Sequence, residues 1–210
     1  MPNKVIKSEE LFDNPNTLKH YTNFYSLISN LSSKAIHLGD PDKWEDKNDS
    51  AAVKAFANGR TVRVLCLTTE EETLHHWNTY AKDIMGCRID FNTKIFFETL
   101  KNIPEIMHGK MEYIKRDFDF SSCKQAEYPF LKRSPYKCDG EYRVVWAGKG
   151  TAPVIPIEGI IKRITLSPHI QDYAVEPVKK LLKSYGIGEV CKSTILENKE
   201  FINKIGKRKK

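Results

Sequence analysis

The sequence predicts an α+β fold: one domain with a mixed or mostly antiparallel sheet and flanking helices. Three observations carry that expectation. Strand-like segments outnumber helical ones by roughly eight to five, judged by their hydrophobic periods. Their order is irregular, so the strict alternation that a doubly wound sheet needs is missing, and that fold stands second. The 210 residues contain no internal repeat, no low-complexity stretch and no Ser/Gly-rich linker. This argues for one domain over 1–203, followed by a basic tail at 204–210 that is expected to be disordered.

The elements follow in order. Leu18 to Thr22 alternates as a strand, and Phe24, Leu27, Ile28 and Leu31 then recur at helical spacing, with Thr22 or Asn23 as the cap. Ala35 to Gly39 is a second short strand, stopped by Asp40-Pro41. An acidic stretch from Asp42 to Asp49 surrounds Trp44, and Ala51 to Ala57 is helical up to Asn58-Gly59. Thr61 to Thr68 is the clearest buried strand, β-branched and apolar. Thr73 to Lys82 is a helix carrying His75, His76, Trp77 and Tyr80, and Cys87 to Phe91 alternates as a strand. Lys94 to Leu100 is helical and Met111 to Ile114 is a strand. Phe118 to Cys138 is an irregular, basic and aromatic loop, of a length that usually signals function or mobility. Glu141 to Trp146 is a strand with Glu141, Arg143 and Val145 on one face and Tyr142, Val144 and Trp146 on the other. A strand from Ile160 to Leu166, an amphipathic helix from Asp172 to Tyr185 and a strand from Val190 to Ile195 complete the domain.

Composition narrows the class. Hydrophobic residues are 40% and charged residues 29%, which suits a folded globular chain and excludes disordered and collagen-like classes. No apolar run approaches the ~20 residues of a membrane span, and Met1-Pro2-Asn3-Lys4 leads into charge, so a cytoplasmic protein without membrane contact is expected. The net charge is +7, of which Lys204, Lys207, Arg208, Lys209 and Lys210 supply five units. The body is therefore only mildly basic. Cys66, Cys87, Cys123, Cys138 and Cys191 include no C-x-x-C pair, so they read as reduced thiols and no metal is expected.

The strong signatures of kinases, P-loop and Rossmann proteins, hydrolase elbows and zincins are all missing. Weaker constellations remain. Glu141 and Arg143, two apart on one strand face, either orient a substrate and stabilise developing positive charge or form a cross-strand ion pair. His20-Tyr21 near the start of the first strand places an imidazole beside an aromatic ring, suited to a ribose or phosphate contact, or else marks a satisfied core histidine. His76 and Tyr80, four apart, share one helix face. Asp40, Asp42, Glu45, Asp46 and Asp49 offer oxygens to a hard cation, but their spacing is not that of an EF-hand, and a solvated or capping loop is the plainer reading.

Taken together, these motifs resemble a bacterial family of unknown function, the DUF2971 family, over about residues 18–200. The resemblance is carried by His20-Tyr21-Thr22, by Leu38-Gly39-Asp40-Pro41 with Trp44-Glu45-Asp46-Lys47-Asn48-Asp49, and by Cys66-Leu67-Thr68 with Glu72 to Trp77. Gly86 to Phe91, Lys137 before Glu141 to Trp146, Ile164 to Pro168 and Lys192 to Leu196 extend it. It implies a bacterial or phage origin among accessory or defence genes, and no established chemistry. A looser likeness is to ADP-ribosyltransferase-type domains, which bind NAD in a split sheet. That likeness implies that His20 holds the nicotinamide ribose, with His76 on the same cofactor site. Tyr21 or Tyr80 would stack on the nicotinamide, Glu141 would stabilise the oxocarbenium-like centre or orient the acceptor, and Arg143 or Arg88 would pair with the pyrophosphate.

The expected function is thus ADP-ribosyl transfer or NAD glycohydrolysis, in the setting of a toxin or antiviral defence effector. The alternative is a nucleic-acid or partner-binding module. It would use Lys115, Arg116, Lys132, Arg133 and the tail residues Lys207 and Arg208, with Tyr113, Tyr128, Phe130 and Tyr136 as stacking surfaces. A metal-dependent nuclease built on Asp46, Asp49 and Glu141 is a third reading.

Overall fold

The computed structural model describes residues 14–82 and 84–206. In chain order the strands are β1 (Lys19–Asn23), β2 (Ala35–His37), β3 (Thr61–Thr68), β4 (Gly86–Phe91), β5 (Ile106–Lys110) and β6 (Glu112–Ile114). They continue with β7 (Leu131–Arg133), β8 (Glu141–Gly148), β9 (Val154–Pro156), β10 (Ile161–Leu166) and β11 (Val190–Lys192). The helices are α1 (Phe24–Ser33), α2 (Lys47–Ala57), α3 (Leu74–Tyr80), α4 (Thr93–Lys101), α5 (Asp172–Ser184) and α6 (Lys199–Gly206).

Seven strands form one sheet in the order β11-β10-β4-β1-β3-β8-β5, and every pairing in it is antiparallel except β10 with β11. The fold is therefore the expected α+β domain with a mostly antiparallel sheet and flanking helices. Side chains alternate across each strand, so one face carries Leu65, Leu67, Ile89, Tyr142, Val144 and Ile164. That face is the main core, closed by α1, α4 and α5 through Leu27, Leu31, Phe96, Phe97, Val178 and Leu182. The opposite face is covered in two separate patches. Val53, Phe56 and Ala57 of α2 pack on Val62, Val64 and Val145, while Trp77 and Ala81 pack on Tyr21.

The sheet opens between its two halves. β1 pairs with β4 along its whole length, from Lys19 opposite Asp90 to Asn23 opposite Gly86. Towards β3 it makes one pair, Lys19 with Thr68, while β3 pairs with β8 throughout. Past that single contact β1 and β3 are unpaired, and a gap opens between them.

Several elements were not visible beforehand. β5 pairs along β8, and β9, bounded by Pro153 and Pro156, pairs with β2. The 118–138 segment is ordered: three short 3₁₀ turns surround β7, which pairs with β6 in parallel. Lys204 lies in α6, so helix runs through 206 into the segment expected as a tail, and Lys207 and Arg208 lie outside the described residues.

Candidate functional site

A cavity of about 850 Å³ occupies the opening, with β1, β3 and β8 as its walls. The split is what lets residues from both sheet faces reach it. Glu141 pairs with Thr68, which pairs with Lys19, so Glu141 shares a face with Lys19 and Tyr21. His20 pairs with Ile89 and belongs to the opposite face. In a continuous sheet His20 and Glu141 would be separated by backbone; here both line one space.

His20 bridges the gap. Its Nδ1 lies 2.8 Å from the Cys66 carbonyl oxygen. A carbonyl only accepts, so Nδ1 carries the hydrogen and, in the neutral ring, Nε2 is left as an acceptor. Burial lowers the His20 pKa, with the Cys66 carbonyl working against the shift, so the ring is neutral at pH 7.

Across the cavity stands a buried ion cluster. Arg143 Nε donates to Glu141 Oε1 at 2.5 Å, and its Nη1 and Nη2 grip both oxygens of Asp49 at 2.8 and 2.5 Å. Nη1 also reaches the Pro129 carbonyl at 3.0 Å, and the guanidinium lies 4.9 Å over the Trp44 ring. Lys132 Nζ donates to Glu141 Oε2 at 2.7 Å and to Asp139 Oδ2 at 2.9 Å. Burial alone would raise the Glu141 carboxyl, but Arg143 and Lys132 hold it down at about 2. Asp139 is likewise lowered against its burial, by Lys132, His75 and Tyr80. The same acids raise Lys132 and Arg143 above their ordinary values although burial opposes both. Three carboxylates thus face two fixed cations, and the wall carries one surplus negative charge.

Local sequence sets this wall. Gly140 takes a left-handed conformation (φ +48°) at the end of the Ser134–Asp139 turn. That sharp reversal brings Asp139 and Glu141 onto the same Lys132 ammonium. Thr68 Oγ1 donates to the Asp139 carbonyl at 2.7 Å, and His76 Nε2 donates to the same oxygen at 3.0 Å. The Thr73 hydroxyl donates to His76 Nδ1 at 2.7 Å, so both His76 nitrogens are engaged and its ring stacks on Tyr21 at 5.1 Å.

The structure therefore divides the residues singled out in the sequence. Glu141, His20, Tyr21, His76, Tyr80, Lys132 and Arg143 come together around the cavity. Both ring nitrogens of His76 and all three nitrogens of Arg143 are engaged by protein groups. Tyr21 is buried between His76 and Trp77, whereas Tyr80 is partly exposed and lines the cavity. Arg88 is held away from any pyrophosphate by Asp90 at 2.7 Å and Glu72 at 3.3 Å. Of the basic residues grouped for nucleic acid, Lys115 and Arg116 are exposed and Arg133 pairs with Asp46 at 3.2 Å. Lys132 is the exception: strand alternation turns it inward to the ion cluster, where it is unable to meet a phosphate backbone. Phe130 is fully buried in the α2 patch and is no stacking surface. Asp46 caps α2, and Asp49 and Glu141 are taken up by Arg143, so these three acids do not form an open oxygen cage. Sequence reasoning missed Asp139 as a wall residue, although Asp139-Gly140 directly before a strand is a recognisable turn signal.

No family model matches the chain, so the DUF2971 resemblance has none behind it, and no curated protein matches either. Among solved structures the chain is similar to DarT of Thermus sp. 2.9, in complex with ADP-ribosylated ssDNA. The two share 11% identity over 87% of this chain and 96% of that one, with a TM-score of 0.47. At that level the likeness is one of chain course and not of chemistry. Among the described residues, no helix is long and apolar enough to cross a membrane.

Proposed function

We propose that the cavity holds NAD or a related nucleotide and that the protein cleaves its N-glycosidic bond, as an ADP-ribosyl transferase or glycohydrolase. The observation that carries this reading is the ionised Glu141, set in a wall of net negative charge, across an open sheet from the neutral His20 imidazole. In the reaction the bond from the nicotinamide nitrogen to ribose C1′ breaks, its electron pair goes to the ring nitrogen, and neutral nicotinamide leaves. C1′ becomes an oxocarbenium centre, and the surplus negative charge around Glu141 stabilises it without any proton transfer. Water or an acceptor adds to C1′ and releases its proton to solvent. His20 Nε2 accepts a ribose hydroxyl, and Tyr80 flanks the nicotinamide. A nucleic-acid acceptor would find its phosphate contacts at the exposed Lys115 and Arg116. An activity of this kind drains a central cofactor or marks a macromolecule, which suits a toxin or defence effector.

The test is nicotinamide release and transfer of labelled ADP-ribose from NAD in a bacterial extract. Wild type should turn over, Tyr80→Ala should be weakened, and Glu141→Gln should lose about 10²–10³ in rate. Wild-type protein that neither turns over NAD nor melts higher in its presence would end this reading. So would Glu141→Gln at wild-type rate.

A further inference from the structure

Beside the ion cluster, three side chains of different chemistry converge from two distant parts of the chain. His75, in the first turn of α3, places Nε2 2.8 Å from Asp139 Oδ1 and 3.6 Å from Cys138 Sγ. All three donor atoms lie within 4.8 Å of one another. Asp139 is buried, while His75 and Cys138 are exposed, so the group has a fixed floor and an open mouth. The carboxylate is held from behind: Lys132 takes Oδ2, the Tyr80 hydroxyl bonds the same carboxylate, Oδ1 meets His75, and His76 and Thr68 pin the Asp139 backbone carbonyl. A ligand carboxylate oriented by further hydrogen bonds is the usual supporting arrangement of a metal centre.

From this we infer that His75, Cys138 and Asp139 form a binding site for a borderline transition-metal ion, with Zn²⁺ as the best fit. One imidazole nitrogen, one thiolate and one carboxylate oxygen match the ligand types of zinc. The hard cations Mg²⁺ and Ca²⁺ take oxygen ligands almost alone, so the same set disfavours them. The group numbers three among the described residues, which leaves a tetrahedral ion one position for water or a substrate atom. On binding, the Cys138 thiol gives its proton to solvent, and the His75 Nε2 hydrogen that bonds Asp139 Oδ1 in the metal-free protein is given up while Nδ1 carries the ring hydrogen, so that Nε2 is free to coordinate. The Cys138 thiolate and the Asp139 carboxylate, which is shared with Lys132, supply the negative charge that the dication meets. The missing C-x-x-C motif says nothing about such a site, because His75 and Cys138 are 63 positions apart and meet only in the folded chain. Asp139 also belongs to the cavity wall, so the site is tested by metal binding itself, which is read without NAD turnover.

The test uses reduced, metal-free full-length protein titrated with Co²⁺ alone, followed by competition with Zn²⁺. One equivalent should produce a thiolate-to-cobalt charge-transfer band that Zn²⁺ abolishes, and Zn²⁺ should raise the melting temperature. Cys138→Ser should lose the band and His75→Gln should weaken binding by at least about tenfold. Cys138→Ser replaces an exposed side chain and should melt like wild type without metal, while His75→Gln keeps an amide donor for Asp139 and should melt within a few degrees of it, the equivalent of about 1 kcal/mol. No band in wild type would overturn the site, as would a band kept by Cys138→Ser or wild-type affinity in His75→Gln.

Discussion

Glu141 ties folding stability to pH in a way that can be worked out beforehand. Its carboxyl lies at about 2 in the folded protein against 4.5 as the ordinary value. Each unit of difference is worth about 1.4 kcal/mol, so the ionised, paired carboxylate contributes about 3 kcal/mol at pH 7. The group is buried, so this needs no discount for solvent screening. The sign follows from the depressed value: the contribution is complete above the unfolded value of 4.5 and is lost as pH falls towards 2. The perturbation is Glu141→Gln, which keeps the shape and removes the charge. The amide weakens the hold on Arg143 and Lys132, but it also relieves repulsion from Asp49 and Asp139, so the net cost at pH 7 should be about 2–3 kcal/mol. Urea unfolding of both proteins from pH 7 downwards measures the difference. The gap should stay constant to about pH 5, shrink by roughly 2 kcal/mol by about pH 3, and close near pH 2 as protonated Glu141 comes to resemble the amide. Titration of acids outside the cluster is common to both proteins and cancels. Parallel curves, with the gap as large at pH 3 as at pH 7, would refute the coupling of Glu141 to its two cations.

Other consequences are simpler. Arg143→Lys keeps the charge but loses the two-pronged grip on Asp49 and the Pro129 contact, and should cost about 3 kcal/mol or more in denaturant unfolding; a loss under about 1 kcal/mol would mean the network is slack. Gly140→Ala forces a Cβ into a left-handed turn and against the Glu70 side chain, so melting should fall by the equivalent of about 1–2 kcal/mol, and an unchanged melting temperature would contradict the turn geometry. Burial pushes the Cys87 thiol to about 12 and the Cys66 thiol well up. In native protein near pH 8, mass spectrometry should find Cys138 alkylated first and Cys66 and Cys87 spared until denaturant is added; early labelling of Cys87 would be the contrary result.

Periodicity carried most of the fold because the large sheet is built from strongly patterned strands. Thr61 to Thr68 pairs along its full length with β8, and the two faces of Glu141 to Trp146 divide as the alternation required. What stayed hidden depends on partners far along the chain. Ile106–Lys110 is a weak strand by composition, with Gly109 inside it, and it is ordered by pairing on β8. The 118–138 segment has no period because its turns are held by α2, β6 and the ion cluster. The site was half legible for the same reason. His20 and Glu141 carry local signals, whereas the roles of Lys132, Asp139 and Asp49 arise only when β7, the Gly140 turn and α2 converge on Arg143 and Glu141.

A buried group of five charges is a poor way to stabilise a fold, since well-packed apolar side chains in its place are often neutral or better by about 1–4 kcal/mol. The two patches on this face already show the alternative: α2 on β3 and β8, and α3 on Tyr21, pack through apolar side chains, with Arg60 over Phe56 and the Arg88–Asp90 pair beside Tyr21 at their margins. Only between them, where the sheet opens, are Asp49, Glu141 and Arg143 found, and there their surplus negative charge faces the cavity. Replacing all three together, as Asp49→Leu, Glu141→Leu and Arg143→Met, leaves Lys132 matched by Asp139 alone and removes the surplus. If the cluster exists for the chemistry of the cavity, this triple variant should fold within about 2 kcal/mol of wild type, or above it, while NAD turnover is lost. A variant that instead unfolds by more than about 5 kcal/mol would make the cluster the joint that holds α2 and the 125–139 turns to β8. Its charge would then be an incident of that joint.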